Sequence, residues 1–376
     1  MKIAIVCYPT LGGSGVVATE LGTTLAKRGH EVHFITYSHP VRLELLSKNI
    51  HFHEVTIPEY PLFKYQPYEL ALSSKLVNII KQHNIELFHV HYAIPHAYAV
   101  YMAKKMLLAE GIQIPMVTTL HGTDITLVGN HPIYKPAVTF SINNSDVVTS
   151  VSQSLKDDTL RLFDVKVPIE VVPNFIDIEK HNPKDVDCKR HFLANDDEYV
   201  ITHVSNFRKV KRIDDVVRIF YRIQQQQPAR LIMVGEGPER EPAEELCKEL
   251  GIADKVVFLG NSEEVGKILC FSDLFLLPSE KESFGLAALE AMAAGVPVIS
   301  SDAGGLNEVN KHGISGFLSP IGAVDDMATN ALHILNNTEQ LQQFKRQAKT
   351  TANTFSIDKV VPLYEKLYFN ALKQKI

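Results

Sequence analysis

The sequence lacks any apolar run approaching the roughly 18 residues that a membrane-spanning helix needs, so no transmembrane segment is expected. It also lacks a basic excess. Lysine and arginine total 38 against 43 aspartates and glutamates, a net charge of −5, whereas a nucleic-acid binder would show a strongly basic domain. Cysteine is scarce: Cys7, Cys188, Cys247 and Cys270 are far apart and form no C-x-x-C, which argues against a zinc site and a disulfide framework. The amino end, Met1-Lys2-Ile3-Ala4-Ile5-Val6-Cys7, shows no cleavage pattern and reads as a buried strand rather than a signal peptide, so a cytoplasmic protein is expected. His51 with His53, and His89 with His91, alternate on strands, but no acidic third ligand stands at a recognisable spacing and no metal is assigned.

With 376 residues, 45% of them hydrophobic and 22% charged, the chain exceeds the size at which a single core keeps growing, and two domains are expected. Strands are predicted at Ile3–Cys7, Val32–Thr36, Phe52–Ile57, Leu87–His91, Met116–Leu120 and Val147–Val151, with helices over Val16–Arg28, Leu70–Asn84, Ala97–Glu110 and Gln153–Phe163. After Val171-Val172-Pro173-Asn174-Phe175 a second β/α series places strands at Val200–Val204, Leu231–Val234, Val256–Leu259, Leu274–Leu277 and Val298–Ser301. The fold class is therefore α/β: two Rossmann-like, doubly wound parallel-sheet domains with a ligand cleft between their carboxyl edges. The boundaries read as 1–170 plus 356–376, and 171–355, because the last stretch carries apolar residues at Val360, Val361, Leu363, Leu367, Phe369 and Leu372 that need a surface to cover.

Residues at predicted strand ends carry the chemistry. Leu11-Gly12-Gly13-Ser14-Gly15 opens a helix, yet its spacing is not G-x-G-x-x-G and the second strand ends without a ribose-holding acid, so a dinucleotide cofactor is not expected. The next candidates in the first half are Tyr92, just beyond the fourth strand, and His121-Gly122-Thr123-Asp124 after the fifth. In the second half, Asn206-Phe207-Arg208-Lys209-Val210-Lys211-Arg212 places four cations in five positions, suited to neutralising a phosphate or to lining a solvated loop. Glu282-Ser283-Phe284-Gly285-Leu286-Ala287-Ala288-Leu289-Glu290 sets two carboxylates across a strand-to-helix turn, where Gly285 lets an anion approach open amides. The only Asp-x-Asp, Asp185-Val186-Asp187, falls in a charged segment that reads as an exposed connection, so no divalent cation is expected at the diphosphate.

Together with Val234-Gly235-Glu236-Gly237-Pro238 and Ala303-Gly304-Gly305-Leu306-Asn307-Glu308, these motifs resemble the retaining GT-B glycosyltransferases of family 4 over essentially the whole chain. The variants at His121–Asp124 and Asn206–Arg212 are most similar to the branch that transfers N-acetylglucosamine from UDP-GlcNAc to L-malate in bacillithiol biosynthesis. The resemblance implies no cofactor and no metal, with UDP-GlcNAc and L-malate as the partners; it neither requires nor excludes a homo-oligomer.

Residue by residue, it implies Lys211 in the family's lysine position. Asn206 stands where the family's arginine falls, so Arg208 is read as supplying the guanidinium. Glu282 is implied to hold donor-sugar hydroxyls, Glu290 the ribose and Asn261 the uracil. Ser283 and the amides of Phe284, Gly285 and Leu286 then lie near the sugar and diphosphate, with Gly15 at the donor and His121 at the reacting centre. The acceptor is expected among Ser14, Lys64, Tyr65, Tyr92 and Thr119. Two rival enzymes fit the same architecture: a family-4 transferase with a lipid or polysaccharide acceptor, and a UDP-GlcNAc 2-epimerase. A non-catalytic nucleotide-sugar sensor is the third rival.

Overall fold

Short apolar runs bounded by turn residues become parallel strands, fully buried at the centre of each sheet and partly accessible at its edges. In the computed structural model, which describes all residues except 11, 44–46, 60, 182–189, 191–192, 263 and 374–376, they form two separate sheets. The chain divides into two compact units, Met1–Asn174 with Ile357–Ile376, and Phe175–Ser356.

The first unit holds β1 (Lys2–Val6), β2 (Glu31–Thr36), β3 (Ile50–Glu54), β4 (Leu87–His91), β5 (Met116–Leu120), β6 (Val147–Ser150) and β7 (Ile169–Val171). All pairings are parallel, in the order β3-β2-β1-β4-β5-β6-β7. The second unit holds β8 (Tyr199–Val204), β9 (Ala229–Val234), β10 (Val256–Gly260), β11 (Leu274–Leu277), β12 (Val298–Ser301) and β13 (Gly316–Ser319), ordered β10-β9-β8-β11-β12-β13 and again parallel. Both expected doubly wound sheets are present, and both reverse their winding once, between β1 and β4 and between β8 and β11. Outside the carboxyl ends of those strand pairs the following loops diverge and leave a crevice.

The helix Ile357–Lys373 belongs to the first unit and buries Val360 and Val361 as expected, but the rest of its buried face differs from the predicted one. Leu363 and Phe369 are exposed, while Tyr364 and Tyr368 are completely buried. The phenol edge explains the exchange: Tyr368 Oη lies 2.6 Å from His89 Nδ1, a polar contact no leucine makes. Glu365 takes a two-pronged pair from Arg28, at 3.0 and 2.8 Å, and a contact from His30 at 3.0 Å. No helix among the described residues is long and apolar enough to cross a membrane. Cys7 and Cys247 are buried thiols, whereas Cys270 is disulfide-bonded, which corrects the expectation that the spacing of the cysteines argues against disulfides.

Candidate functional site

In the second unit, β8 feeds the cationic turn and β11 feeds the loop of Glu282, so the winding reversal brings together side chains 71 positions apart. Lys211 Nζ lies 2.5 Å from Glu282 Oε1, with 19% and 12% of the two side chains exposed, enough shielding to strengthen the attraction while leaving the pair reachable. Ser279 Oγ donates to the same oxygen at 3.0 Å, and Ser301 Oγ, at the end of β12, donates to the Ser279 carbonyl at 2.5 Å. Backbone bonds finish the assembly: Glu280 N–H donates to Val210 O at 2.8 Å and Gly305 N–H to Glu282 O at 3.0 Å. Glu282 is thereby fixed through both its side chain and its main chain.

Gly285 adopts φ 98°, a conformation suited to glycine, and starts the helix Leu286–Ala293, which no side chain caps. The first amides of that helix point to the carboxyl edge beside the lysine–glutamate pair, an arrangement that attracts an anion. Ser283 is partly buried, whereas the Phe284 ring is buried and packs edge-on against Phe355 at 5.5 Å, leaving backbone as the part of Phe284 available to a ligand. Leu286 and Glu290 are four residues apart on one helical face, both partly buried. Asn206 and Arg208 are exposed on the β8 loop, while Asn261 is exposed after β10, two strands further along the same edge.

The first unit repeats the logic. Ser14 follows β1 and Tyr92 follows β4, and the Ser14 hydroxyl donates to Tyr92 Oη at 3.1 Å across the winding reversal. Tyr92 holds φ 83°, a strained backbone for a non-glycine residue, and its ring stacks on His121 at 5.3 Å and meets Tyr8 edge-on at 5.2 Å. Gly15 is needed for close approach, since a Cβ there would sit 2.3 Å from the Thr10 carbonyl oxygen. Thr119 is buried: its hydroxyl bonds His89 and Thr149 at 2.8 and 2.7 Å, while its carbonyl accepts the Tyr92 N–H at 3.0 Å. Lys64 and Tyr65 lie on the loop before helix Tyr68–His83, Tyr65 being 80% exposed with the Lys64 ammonium 5.6 Å above its ring. No contact among the described residues joins either of them to Ser14, Tyr92 or Thr119.

Asp124, the last residue of the motif after β5, organises this edge. Its Oδ1 accepts N–H groups from His121 and Gly122 at 3.1 and 2.9 Å, and its Oδ2 accepts Ala93 N–H at 2.9 Å, tying the loop after β4 to the loop after β5. Burial raises its carboxyl above the usual range against the pull of those donors. An aspartate just past a strand-ending glycine is a turn signal that reasoning from sequence can use. Beside it opens a cavity of about 590 Å³ lined by Tyr8, Tyr92, Tyr98, Tyr134, Thr123 and Glu69 among others, so among the described residues its lining offers hydroxyls and carboxylates but no lysine or arginine.

Burial also holds imidazoles neutral. It pushes His89 down to about 3, His96 to about 4 and His121 to about 3, and drives His91 well below its ordinary value, with neighbouring histidines reinforcing it at His89, His91 and His121; in the second unit His203 falls to about 4. Each depressed folded-state value means that the unfolded chain binds protons first as pH falls. Stability is thus complete above about pH 6.5 and drains away towards pH 4, by about 1.4 kcal/mol per pH unit per histidine. Urea unfolding at pH 7.5 and pH 5 will show a markedly lower midpoint at pH 5; an unchanged midpoint would contradict the burial of these rings.

Residues 11–180 match the family model "Glycosyltransferase Family 4" and residues 187–351 match "Glycosyl transferases group 1". The chain is 46% identical to the N-acetyl-alpha-D-glucosaminyl L-malate synthase of Bacillus anthracis over 99% of this chain and 98% of that protein. Among solved structures, sucrose-phosphate synthase from Thermosynechococcus elongatus superposes with a TM-score of 0.81 at 20% identity over 100% of both chains. Anabaena HepE in complex with UDP-glucose gives 0.81 at 20% identity over 98% of this chain and 100% of that one. With these matches and two doubly wound sheets, the chain belongs to the family-4 glycosyltransferases of GT-B fold and is a glycosyltransferase.

Proposed function

We propose that this chain transfers N-acetylglucosamine from UDP-GlcNAc to the hydroxyl of L-malate with retention of anomeric configuration, without a metal ion, as the first step of bacillithiol biosynthesis in the cytoplasm. The observation that carries the reading is the 46% identity to the Bacillus anthracis synthase across nearly all of both chains. The second unit takes the donor. Lys211, with Arg208, neutralises the departing UDP, Glu282 holds the sugar hydroxyls, Glu290 the ribose and Asn261 the uracil. The amides of Phe284, Gly285 and Leu286, with Ser283, face the diphosphate, and Asn206 borders it.

The first unit takes the acceptor. Helix Gly13–Lys27 begins without a side-chain cap or an acid in its first turn, so its amides suit one carboxylate of a small dianion, with the Ser14 and Tyr92 hydroxyls alongside. Lys64 and Tyr65 supply the remaining charge and hydroxyl from their loop, and Thr119 acts by holding Tyr92. In the reaction the bond from the anomeric carbon to the phosphate oxygen breaks, and the malate hydroxyl oxygen bonds that carbon on the same face. The hydroxyl proton passes to the leaving β-phosphate oxygen. His121, neutral at working pH, orients the sugar near the reacting carbon, and no covalent glycosyl-enzyme forms.

The test is to incubate the pure protein with UDP-GlcNAc and a panel of acceptors in chelator, measuring UDP release and the anomeric configuration of the product. Release that depends on L-malate and yields the α-anomer is expected. Donor turnover without malate would instead indicate epimerisation or hydrolysis, and comparable rates with many alcohols would remove malate. Loss of activity in chelator would remove metal independence. Tyr92→Phe and Ser14→Ala are each expected to raise the KM for malate about tenfold with donor KM unchanged, the cost of one lost polar contact.

A further inference from the structure

A second group of chemistry-bearing side chains lies away from the winding reversal, at the opposite edge of the first sheet. Glu31 and His33 on β2, and His51 and His53 on the edge strand β3, occupy alternate positions in a parallel register that sets His33 beside His51 and Ile35 beside His53. All four therefore share one face. On that face the helix Tyr68–His83 ends, placing its last residue, His83, against them. Ring centroids are 4.7 Å apart for His33 and His83, 5.1 Å for His53 and His83, and 5.1 Å for His33 and His53. One nitrogen from each of these three histidines lies within 4.8 Å of the other two. Nothing in the transfer reaction uses them.

We propose that His33, His53 and His83 bind a divalent first-row transition metal, zinc by the preference of three imidazoles, with Glu31 as the carboxylate that orients His33. The hydrogen bonds already prepare such a site. Glu31 Oε1 lies 3.0 Å from His33 Nε2, which places the ring proton there and leaves the Nδ1 lone pair free. That Nδ1 lies 2.9 Å from His53 Nε2, a contact bridged by one hydrogen. Two nitrogens bound to one zinc at about 2.0–2.1 Å in tetrahedral geometry stand about 3.3 Å apart, so an opening of a few tenths of an ångström and a tautomer shift of His53 exchange the hydrogen for the metal. His33 is completely buried and His53 and His83 are partly so, leaving a fourth position for water from the exposed side.

The charges around the cluster bear on affinity. Lys2 Nζ lies 3.1 Å from Glu31 Oε2 and 3.2 Å from the His83 carbonyl oxygen, and Lys75 acts on His53, so these cations oppose the metal while the carboxylate offsets them. The bound ion would clip the edge strand β3 to the end of the helix that follows it. Its role is structural, and transfer proceeds with or without it.

Cobalt(II) titrated into the chelator-stripped full-length protein provides the test, because a four-coordinate nitrogen site gives strong visible bands where adventitious octahedral binding does not. The bands are expected to saturate at one equivalent, with zinc displacing the cobalt and raising Tm by several degrees. The double variant His53→Gln, His83→Gln should lose the bands and the Tm shift while retaining transferase turnover. Independently, zinc added to the unaltered protein should shift the imidazole NMR signals of His33, His53 and His83 ahead of those of the other histidines. Absence of four-coordinate bands, bands of equal strength in the double variant, or first shifts at other histidines would each overturn the proposal.

Discussion

Lys211→Ala lowers kcat by about 10²–10³-fold while leaving the KM for the nucleotide sugar within a few-fold, the pattern of an interaction made chiefly where charge develops. The argument begins with topology. The loops after β8 and β11 flank one winding reversal, and the Glu280 to Val210 backbone bond holds the two together at 2.8 Å. Glu282 then fixes Lys211 at 2.5 Å, so the ammonium is in place before a phosphate arrives and little reorganisation is needed as negative charge grows on the leaving group. Steady-state kinetics on the variant, with circular dichroism to verify folding, measures this. A fall confined to KM would make Lys211 a binding residue only, and an unaltered kcat would remove it from the chemistry. Glu282→Gln is expected to reduce turnover less, by loosening both the sugar and the lysine, and mass spectrometry of the stalled enzyme should find no sugar on Glu282.

The second large effect is steric. Gly305→Ala should raise the donor KM more than about tenfold and lower stability by about 1–3 kcal/mol, the usual cost of overpacking. Gly305 has an ordinary φ of −69°, so the requirement for glycine comes from contact rather than backbone strain. A Cβ there would stand 2.4 Å from the Ser283 carbonyl oxygen and 2.8 Å from Phe284 Cα, both backbone atoms that cannot swing aside. The loop carrying Glu282 to Gly285 must shift, and the Gly305 to Glu282 hydrogen bond shifts with it. Donor-saturation kinetics and urea unfolding measure the two parts. Wild-type KM in the alanine variant would show that this loop does not shape the donor site.

The central strands were legible from sequence almost to the residue. Leu87–His91, Met116–Leu120, Leu274–Leu277 and Val298–Ser301 are covered on both faces, so nearly every position is apolar or small and turn residues mark their ends. The strands β7 (Ile169–Val171) and β13 (Gly316–Ser319) escaped because they are short edge strands: exposed Glu170 interrupts the apolar pattern of β7, and β13 offers only Phe317 and Leu318 between Gly316 and Ser319. Predicted Phe52–Ile57 became Ile50–Glu54 because the register opposite Val32–Thr36, rather than local hydrophobicity, decides where β3 begins.

The cationic turn and the Glu282 loop could be found because each directly follows a recognisable strand. Asp124 could not be given its role in the same way: its three donors come from residues 93, 121 and 122, and only the β4–β5 pairing brings them together. Three members of the proposed metal cluster, Glu31, His33 and His83, were hidden for the same reason, since the β2–β3 pairing and the helix Tyr68–His83, not spacing, bring them together with His53.

The most direct test of the donor assignment is a crystal structure of this protein bound to UDP-GlcNAc or UDP. The diphosphate is expected within hydrogen-bonding distance of Lys211 Nζ and of the first amides of helix Leu286–Ala293. A diphosphate held by any other part of the chain, with Lys211 still paired only to Glu282, would contradict it.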